Sequence, residues 1–138
     1  MKLFITIFIV LTTLLACKKN DSNPDSLIGS WRWVATYNDT ATGALNPLTP
    51  ANSGHTQALI YNIKSWTYFY DSVIVAGGTY GLNVTSTNTG KKVNAIHYYN
   101  TRVGSDSISY YTIEKDTLTF SNTFIGAAGA SSTKYVRQ

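Results

Sequence analysis

The side chains that most often carry catalysis or metal binding are few in this sequence and far apart. The 138 residues include two histidines, His55 and His97, and one glutamate, Glu114. Zinc sites need three or four clustered ligands, and a nucleophilic serine needs a base and a group that orients it. Neither pattern occurs. We therefore expect no enzymatic activity, no metal and no cofactor.

Aromatic side chains are the feature that most suggests a function. They make up 13% of the residues, with ten tyrosines and three tryptophans. Tyrosines on an inward face can line a pocket for an amphipathic ligand, because each hydroxyl is a polar anchor on an apolar ring. On an outward face they can bind a sugar ring or a protein. The remaining interpretation is that these aromatic side chains serve only the ordinary packing of the barrel. The candidate ligand-lining residues are Trp33, Tyr37, Tyr61, Trp66, Tyr68, Tyr70, Tyr80, His97, Tyr99 and Tyr110.

The only cysteine, Cys17, follows a segment typical of an export signal. Lys2 precedes an apolar run from Leu3 to Leu15 that is interrupted only by threonines. A run of this length is too short to span a bilayer, which needs about 20 apolar residues. Leu14-Leu15-Ala16-Cys17 resembles the lipobox of bacterial lipoproteins, which implies cleavage after Ala16 and alkylation of the Cys17 thiol by diacylglycerol. An ordinary secretory signal with an incidental cysteine is the alternative.

The resemblance to lipoproteins also implies a location. Residues 1–16 would be the signal peptide, and residues 17–26 the lipidated cysteine and a polar, flexible tether. Lys18 rather than aspartate follows the cysteine, which by resemblance to sorting rules in Gram-negative bacteria favours the outer membrane. Whether the domain faces the periplasm or the cell surface stays open. The lipid would be the membrane attachment. One acyl chain binds a membrane weakly, whereas two or three bind it stably.

Residues 27–138 are expected to form one domain made of strands. Between Gly29 and Tyr37, Trp31, Trp33, Ala35 and Tyr37 alternate with polar or branched residues, a period of two that predicts a strand. Asn38 to Gln57 predicts a long loop. Further strands are predicted over residues 58–63, 66–70, 73–76, 79–85, 93–99, 108–113, 117–120 and 134–137. Short strands with hairpin turns predict an all-β fold, either a barrel or a sandwich. A single antiparallel up-and-down β-barrel of about eight strands is favoured, because it removes exposed edges in a secreted protein without disulfides.

Both ends of this domain resemble a known family. Gly29-Ser30-Trp31 resembles the opening of the first lipocalin strand, and Tyr135-Val136-Arg137 resembles the closing strand. With Gly78-Thr79-Tyr80 between them, the layout looks like that of the lipocalin-like lipoproteins of Bacteroidota. The resemblance implies that Trp31 and Arg137 close the barrel as a cation–π pair. The alternative is that Trp31 is simply a core residue and Arg137 is solvated at a frayed end. The resemblance also implies a barrel that encloses a small apolar ligand in some members.

Every aspartate is followed by serine or threonine. Five of these pairs continue with a small or apolar residue, a pattern that resembles the O-glycosylation sequon of the same bacterial lineage. Asp-Ser and Asp-Thr are also common turn sequences that lead into strands, so both interpretations stand. The candidate O-glycosylation sites are Ser26, Thr40, Ser72, Ser107 and Thr117.

The charge distribution argues against nucleic acid as a partner. The formal net charge is +4, and the basic residues are scattered rather than gathered on one stripe. We therefore expect a lipid-anchored, non-enzymatic protein of the cell envelope that holds a small apolar or amphipathic ligand inside a lipocalin-like barrel. The alternative is a filled barrel that contacts a protein or glycan through loops and surface aromatics. The sequence leaves the oligomeric state open.

Overall fold

The domain is a closed antiparallel barrel of eight strands, which confirms the predicted fold class. The structure, a computed structural model, describes residues 26–40, 43–44, 46–86, 90–100, 106–121 and 131–138. Cys17, the signal segment and the tether up to residue 25 lie outside the described residues. The predictions made for them therefore stay predictions.

The described residues form nine strands. They are β1 (Gly29–Thr40), β2 (Gly43–Ala44), β3 (Gln57–Tyr61), β4 (Ser65–Tyr70), β5 (Val73–Ser86), β6 (Lys92–Asn100), β7 (Asp106–Glu114), β8 (Thr117–Ser121) and β9 (Ser131–Arg137). The strands β1 and β3 to β9 pair in chain order, and β9 pairs back with β1. The two-residue β2 pairs only with the end of β1. The closed order leaves no long free edge in the sheet.

The predicted loop from Asn38 to Gln57 has more regular structure than the sequence indicated. Strand β1 continues to Thr40, and a one-turn helix, α1 (Pro50–Ser53), follows β2. The Thr49 hydroxyl accepts a hydrogen bond from the Asn52 backbone N–H, and the Asn52 side chain accepts one from the Thr49 N–H. This capping box and the left-handed Gly54 at the other end hold the turn.

A bulge in β1 changes the face on which Tyr37 lies. Trp31 and Trp33 point inward, but the register with β9 shifts between Trp33 and Ala35. Beyond the shift, Thr36 pairs with Thr133 on the inner face, so that Tyr37 points outward and is 40% exposed. The prediction that Tyr37 shares the inner face with Trp31 and Trp33 is therefore wrong, because a bulge inserts one residue and reverses the alternation.

The interior is packed with aromatic and aliphatic side chains. Five of them are fully buried: Trp31, Trp33, Tyr61, Ile96 and Leu118. Several large inner residues lie opposite small ones on the neighbouring strand, namely Trp66 opposite Gly78, Tyr68 opposite Ala76, Ile96 opposite Ser109 and Phe120 opposite Thr133. Large and small side chains that alternate in this way fill the inside of a small barrel.

The two ends of the barrel are defined by the strand order. Alternate turns of an up-and-down barrel lie at the same end. The floor end contains the start of β1, the end of β9 and the turn residues 62–64, 90–91 and 115–116. The rim end contains the end of β1, the turn 71–72 and the start of β7 and β9.

Candidate functional site

The floor is closed by the contact between Trp31 and Arg137 that was predicted from the sequence. The Arg137 guanidinium carbon lies 4.3 Å from the centre of the Trp31 ring. The Trp31 indole N–H donates to the Leu27 carbonyl oxygen over 2.8 Å. Gly29 has a φ of +140°, and a Cβ there would lie 2.8 Å from Arg137 Nη1. Glycine at this position therefore allows the guanidinium to reach the tryptophan.

Arg137 also fixes the segment that leads into the domain. Its Nη1 donates to the Ile28 carbonyl oxygen over 3.0 Å, and its Nη2 donates to the Ser26 carbonyl oxygen over 2.7 Å. Its Nε lies 3.6 Å from the Asp116 carboxylate. Arginine suits this role because its planar group can stack on a ring and donate along its edge. The floor thus joins the first described residues to the last strand.

Above the floor, the inner aromatics form a cluster with polar tips. The hydroxyl oxygens of Tyr61 and Tyr98 lie 2.5 Å apart. The rings of Trp66 and Tyr98 are 4.8 Å apart and those of Tyr61 and Tyr80 are 5.3 Å apart, both edge to face. The Tyr80 hydroxyl donates to the Asn62 carbonyl oxygen over 2.7 Å. We call Tyr61, Trp66, Tyr80 and Tyr98 the inner cluster.

The tyrosine hydroxyls of the interior are held in the protonated form. Burial raises the pKa of Tyr61, Tyr98 and Tyr135 well above the ordinary value. Burial also raises the pKa of Tyr68, Tyr80 and Tyr111, which are half-buried. A phenolate is disfavoured there because a charge loses its hydration in an apolar surrounding. The interior therefore presents neutral hydroxyls that can donate and accept hydrogen bonds.

One polar group of the inner cluster has no partner. Trp66 is only 9% exposed, and its buried indole N–H has no hydrogen-bond acceptor among the described residues. A buried donor without an acceptor costs about 1–3 kcal/mol. Such a group in a folded protein indicates a water, a ligand or a functional requirement. The residue opposite, Gly78, has no side chain that competes for the space beside the indole.

Toward the rim, the inner face is half-buried and more polar. Thr36 accepts a hydrogen bond from the Trp33 indole N–H over 3.0 Å, and its hydroxyl lies 3.2 Å from that of Thr133. The Tyr135 hydroxyl donates to the Gln57 side chain over 3.4 Å. Tyr68 packs against the core as a half-buried residue. This upper tier joins apolar rings to hydroxyl and amide groups, as an amphipathic ligand requires.

The ten residues predicted to line a ligand site fall into three groups. Trp33, Tyr61, Trp66, Tyr68 and Tyr80 belong to the inner face. Tyr70 lies at the rim, where its ring centre is 5.0 Å from that of His55. Tyr37, His97, Tyr99 and Tyr110 do not share the inner face: Tyr37 follows the bulge, and the others alternate with the inward residues Tyr98 and Tyr111.

The outward His97 and Tyr99 form a stacked pair on the barrel wall. Their ring centres are 4.6 Å apart, and the Tyr99 hydroxyl lies 3.3 Å from His97 Nδ1. The pair borders a shallow groove of about 250 Å³ that also includes Gly81, Asn83 and Ile108. Both residues are candidate ligand-lining positions in the sequence, where they are predicted to face a ligand inside the barrel. Their position on the wall instead makes them part of the outer surface.

A second groove on the wall is larger. It has a volume of about 380 Å³ and an apolar base of Ala58, Ile60 and Phe69. Its margins are polar, with Arg32, Ser72 and Gln138. The base residues alternate with the inward residues of β3 and β4, so the groove is outside the barrel. Its volume lies in the range of small-molecule sites.

His55 and Asp71 form a pair at the rim that the sequence spacing did not indicate. His55 Nδ1 lies 2.7 Å from one Asp71 carboxylate oxygen, and the other oxygen accepts from the Thr56 backbone N–H over 2.7 Å. Asp71 and Ser72 have φ values of 47° and 66°, as a tight hairpin turn requires. The pair has the orientation of a catalytic base, but among the described residues no hydroxyl bonds to its Nε2. The visible role is to fasten the segment after α1 to the hairpin.

Asp71 should titrate below an ordinary aspartate. The Thr56 backbone N–H, and then the His55 hydrogen bond, hold the pKa of the Asp71 carboxyl below its usual value of 3.8. Because the folded-state pKa is lowered, the stabilising contact is complete above pH 3.8 and is lost as pH falls through the folded-state pKa. We expect a carboxyl NMR titration midpoint below 3.8, and faster exchange of the Thr56 amide in Asp71→Asn. Asp106→Asn, at the same end, should leave that amide unchanged; equal exchange in both variants would contradict the prediction.

The candidate O-glycosylation sites differ in their surroundings. Ser72 and Ser107 are exposed at the rim end. Thr117 is half-buried and pairs with residues of both β7 and β9. Ser26 is half-buried, and its hydroxyl accepts from the Ile28 N–H over 3.2 Å. The side chain of Thr40 lies outside the described residues. Glycosylation at these positions stays a prediction.

Comparisons with known proteins add no family to these observations. No family model, no curated protein and no solved structure matches the chain. In the described part of the chain, no group of three or more His, Cys, Asp or Glu side chains is placed to hold a metal ion. No helix of the described residues is long and apolar enough to cross a membrane.

Proposed function

We propose that this chain is a lipid-anchored binding protein of the cell envelope, related to the lipocalin-like lipoproteins of Bacteroidota. It is attached to the outer membrane through Cys17 and has no catalytic role. Its barrel holds a small amphipathic ligand on the inner face, between the packed floor and the rim. The proposal joins the lipobox resemblance of residues 14–17 to the closed barrel that begins at Gly29.

The observation that carries the binding proposal is the buried indole N–H of Trp66. It is a hydrogen-bond donor without an acceptor in the described structure, and it belongs to a cluster of neutral tyrosines. A ligand with an apolar body and one acceptor group would satisfy the donor and contact the rings. The half-buried upper tier, with Tyr68, Thr36 and Thr133, would contact the more polar part of the ligand.

The direct test is native mass spectrometry of the protein purified from its own host. We expect a small molecule to be released from the folded protein in stoichiometric amount. Purification must avoid detergents whose alkyl chains would compete for the interior. A protein that carries no small molecule, and takes up none from a lipid extract of that host, would contradict the proposal.

Trp66→Phe should separate ligand binding from folding. The substitution removes the unpartnered N–H and leaves an aromatic ring, so we expect the amount of co-purified ligand to fall at least about tenfold, the effect of ~1.4 kcal/mol. Trp31→Phe is the matched control, because Trp31 is also a buried inner tryptophan but lies at the floor, and its N–H already bonds to the Leu27 carbonyl oxygen. This control should keep the ligand and lose more stability. Equal ligand occupancy in both variants would argue against a role for the Trp66 N–H.

The groove on the outer wall supports a second candidate function. In this interpretation the barrel is a filled scaffold, and the surface with Phe69 and Arg32 contacts a protein or glycan. The five fully buried side chains and the large–small pairs across the strands favour a filled interior. Phe69→Ala would then abolish partner capture, whereas Trp66→Phe would not. The opposite result would favour the ligand inside the barrel.

A further inference from the structure

The floor end carries several exposed apolar side chains. Ile63 lies in the turn between β3 and β4 and is 79% exposed, the largest value among the large exposed hydrophobic residues described. Ile28, just before β1, is 45% exposed. Leu82 and Val84, near the end of β5, are exposed as well. The turn residue Ile63 therefore projects an aliphatic side chain from an end that already has other apolar groups.

The same end has most of the described lysines. Lys64, Lys91, Lys92 and Lys115 lie in or next to its turns and are exposed. Among the described residues of this end, the carboxylates are Glu114 and Asp116, and Asp116 lies 3.6 Å from Arg137. The rim end instead has the carboxylates of Asp71 and Asp106. The rim end also has exposed aliphatic groups, among them Val73 and Ile74. Among the described residues, however, excess positive charge coincides with exposed aliphatic groups at the floor end.

The chain leaves the barrel toward its amino terminus at this end. Ser26 is held there by its carbonyl bond to Arg137, and eight residues, Lys18 to Asp25, separate it from Cys17. Eight residues span at most about 29 Å when fully extended. A lipid on Cys17 would therefore keep the floor end within about 29 Å of the bilayer surface. The point where this segment joins the domain thus favours the floor end, rather than the rim, as the end that meets the membrane.

We propose, building on the lipid anchor proposed above, that the floor end docks on the phospholipid surface that holds the anchor. Ile63 inserts its side chain at the level of the headgroups, and the lysines lie over anionic phosphates. An aliphatic tip surrounded by lysines matches an interface that is apolar inside and negatively charged outside. The docked barrel presents its rim, with the His55–Asp71 pair, to the aqueous side. The anchor thereby orients the domain as well as retaining it.

The test uses an environment-sensitive dye attached to single cysteines at the two ends. Ile63→Cys places the dye at the floor end. Val73→Cys is the matched control, because Val73 is a β-branched residue beside a hairpin turn, is 63% exposed and lies at the rim end. In the lipidated protein the Cys17 sulfur is blocked, so the introduced thiol is the one that reacts. Each labelled protein is placed in vesicles that contain phosphatidylglycerol, and its intact mass is measured.

We expect blue-shifted emission and quenching by a headgroup-level lipid quencher for the Ile63→Cys dye, and water-like emission for the Val73→Cys dye. Quenching at position 63 should fall at least about twofold in phosphatidylcholine vesicles. It should fall likewise at 0.5 M salt, because the Debye length then drops below ~8 Å. Water-like emission at both positions in a protein whose mass includes the lipid would overturn the docking and leave the anchor standing. Equal blue shifts at both ends would overturn it too, because the barrel would have no preferred orientation.

The outcome also separates the docking from the anchor itself. A mass without lipid would contradict the proposed function. The dyes would then be attached to proteins that also carry Cys17→Ser, and these proteins would be added to the same vesicles. A blue shift at position 63 alone would support docking without an anchor. Water-like emission at that position would overturn it.

Discussion

Trp31→Ala is expected to lower the free energy of unfolding by about 3–5 kcal/mol, the usual cost of removing a large buried aromatic side chain. Trp31 is fully buried, donates to the Leu27 carbonyl and lies under the Arg137 guanidinium. Its removal therefore leaves a cavity, an unpaired Leu27 carbonyl and an Arg137 guanidinium without the ring on which it stacks. The measurement is urea unfolding followed by far-ultraviolet circular dichroism, which does not depend on tryptophan emission.

Tyr37→Ala is the matched control for this loss. Tyr37 is an aromatic residue of the same strand, but it is exposed, and its recorded contact is with the Lys134 ammonium, 5.0 Å from the ring centre. We expect a change within about 1 kcal/mol, as for most surface substitutions. If Trp31→Ala cost no more than Tyr37→Ala, the floor contact would not stabilise the barrel. Trp31→Phe, which keeps a ring under Arg137, should give an intermediate value.

Cys17→Ser is expected to abolish attachment to the membrane. A serine hydroxyl is not the thiolate that accepts diacylglycerol, so neither the thioether lipid nor the later acylation of the new amino terminus can form. Each buried methylene of a lipid chain contributes about 0.8 kcal/mol of membrane affinity, so the loss of two or three chains should move the mature domain from the membrane to the soluble fraction. Incorporation of labelled palmitate and fractionation of the cells measure both effects.

Ser22→Ala, in the segment between Cys17 and the barrel, is the control for that substitution. It changes the segment after Cys17 without changing the residue proposed to carry the lipid. Palmitate incorporation and membrane recovery should therefore stay at the level of the protein without substitutions. A Cys17→Ser protein that still incorporates palmitate would refute the lipobox interpretation.

The intact mass of the protein without substitutions would also show whether glycans are attached to the Asp-Ser and Asp-Thr positions.

The barrel was predictable because two local signals agree along most of the chain. Alternation of aromatic and polar residues predicts strands, and turn sequences such as Glu114-Lys115-Asp116 separate them. The contact between Trp31 and Arg137 was predictable only from the family resemblance, since no local pattern links residues so far apart. Gly29 gives that resemblance a physical reason: a side chain there would collide with the guanidinium.

The faces of individual residues were harder to predict. A bulge leaves no mark in the sequence of β1, yet it moves Tyr37 to the outside and brings Thr36 to the inside. A second register shift, between Tyr68 and Phe69, lets β5 run as one strand, where two segments were predicted on either side of Gly77 and Gly78. Alternation identifies a strand, but a single inserted residue reverses which side chains point inward beyond it.

The His55–Asp71 pair was missed for a different reason. The two residues belong to segments that the sequence marks only as a loop and a turn. They meet because β3 and β4 pair in a register that places Gln57 opposite Tyr70, which brings the residues just outside both strands together. Register depends on the whole hairpin, so the neighbours of a turn cannot be derived from their spacing alone.

The pairing of β1 with β9 has a consequence for the time at which the protein can fold. The strands that close the barrel come from opposite ends of the domain, and the Arg137 bonds to Ser26 and Ile28 join residues more than 100 positions apart. Contacts of such long range form late, because the loop must close before they stabilise anything. In a chain threaded across a membrane amino terminus first, one edge of β1 could pair with β3 early, but its other edge would have no partner until the final strand emerged. The barrel could then close only after the whole domain had crossed.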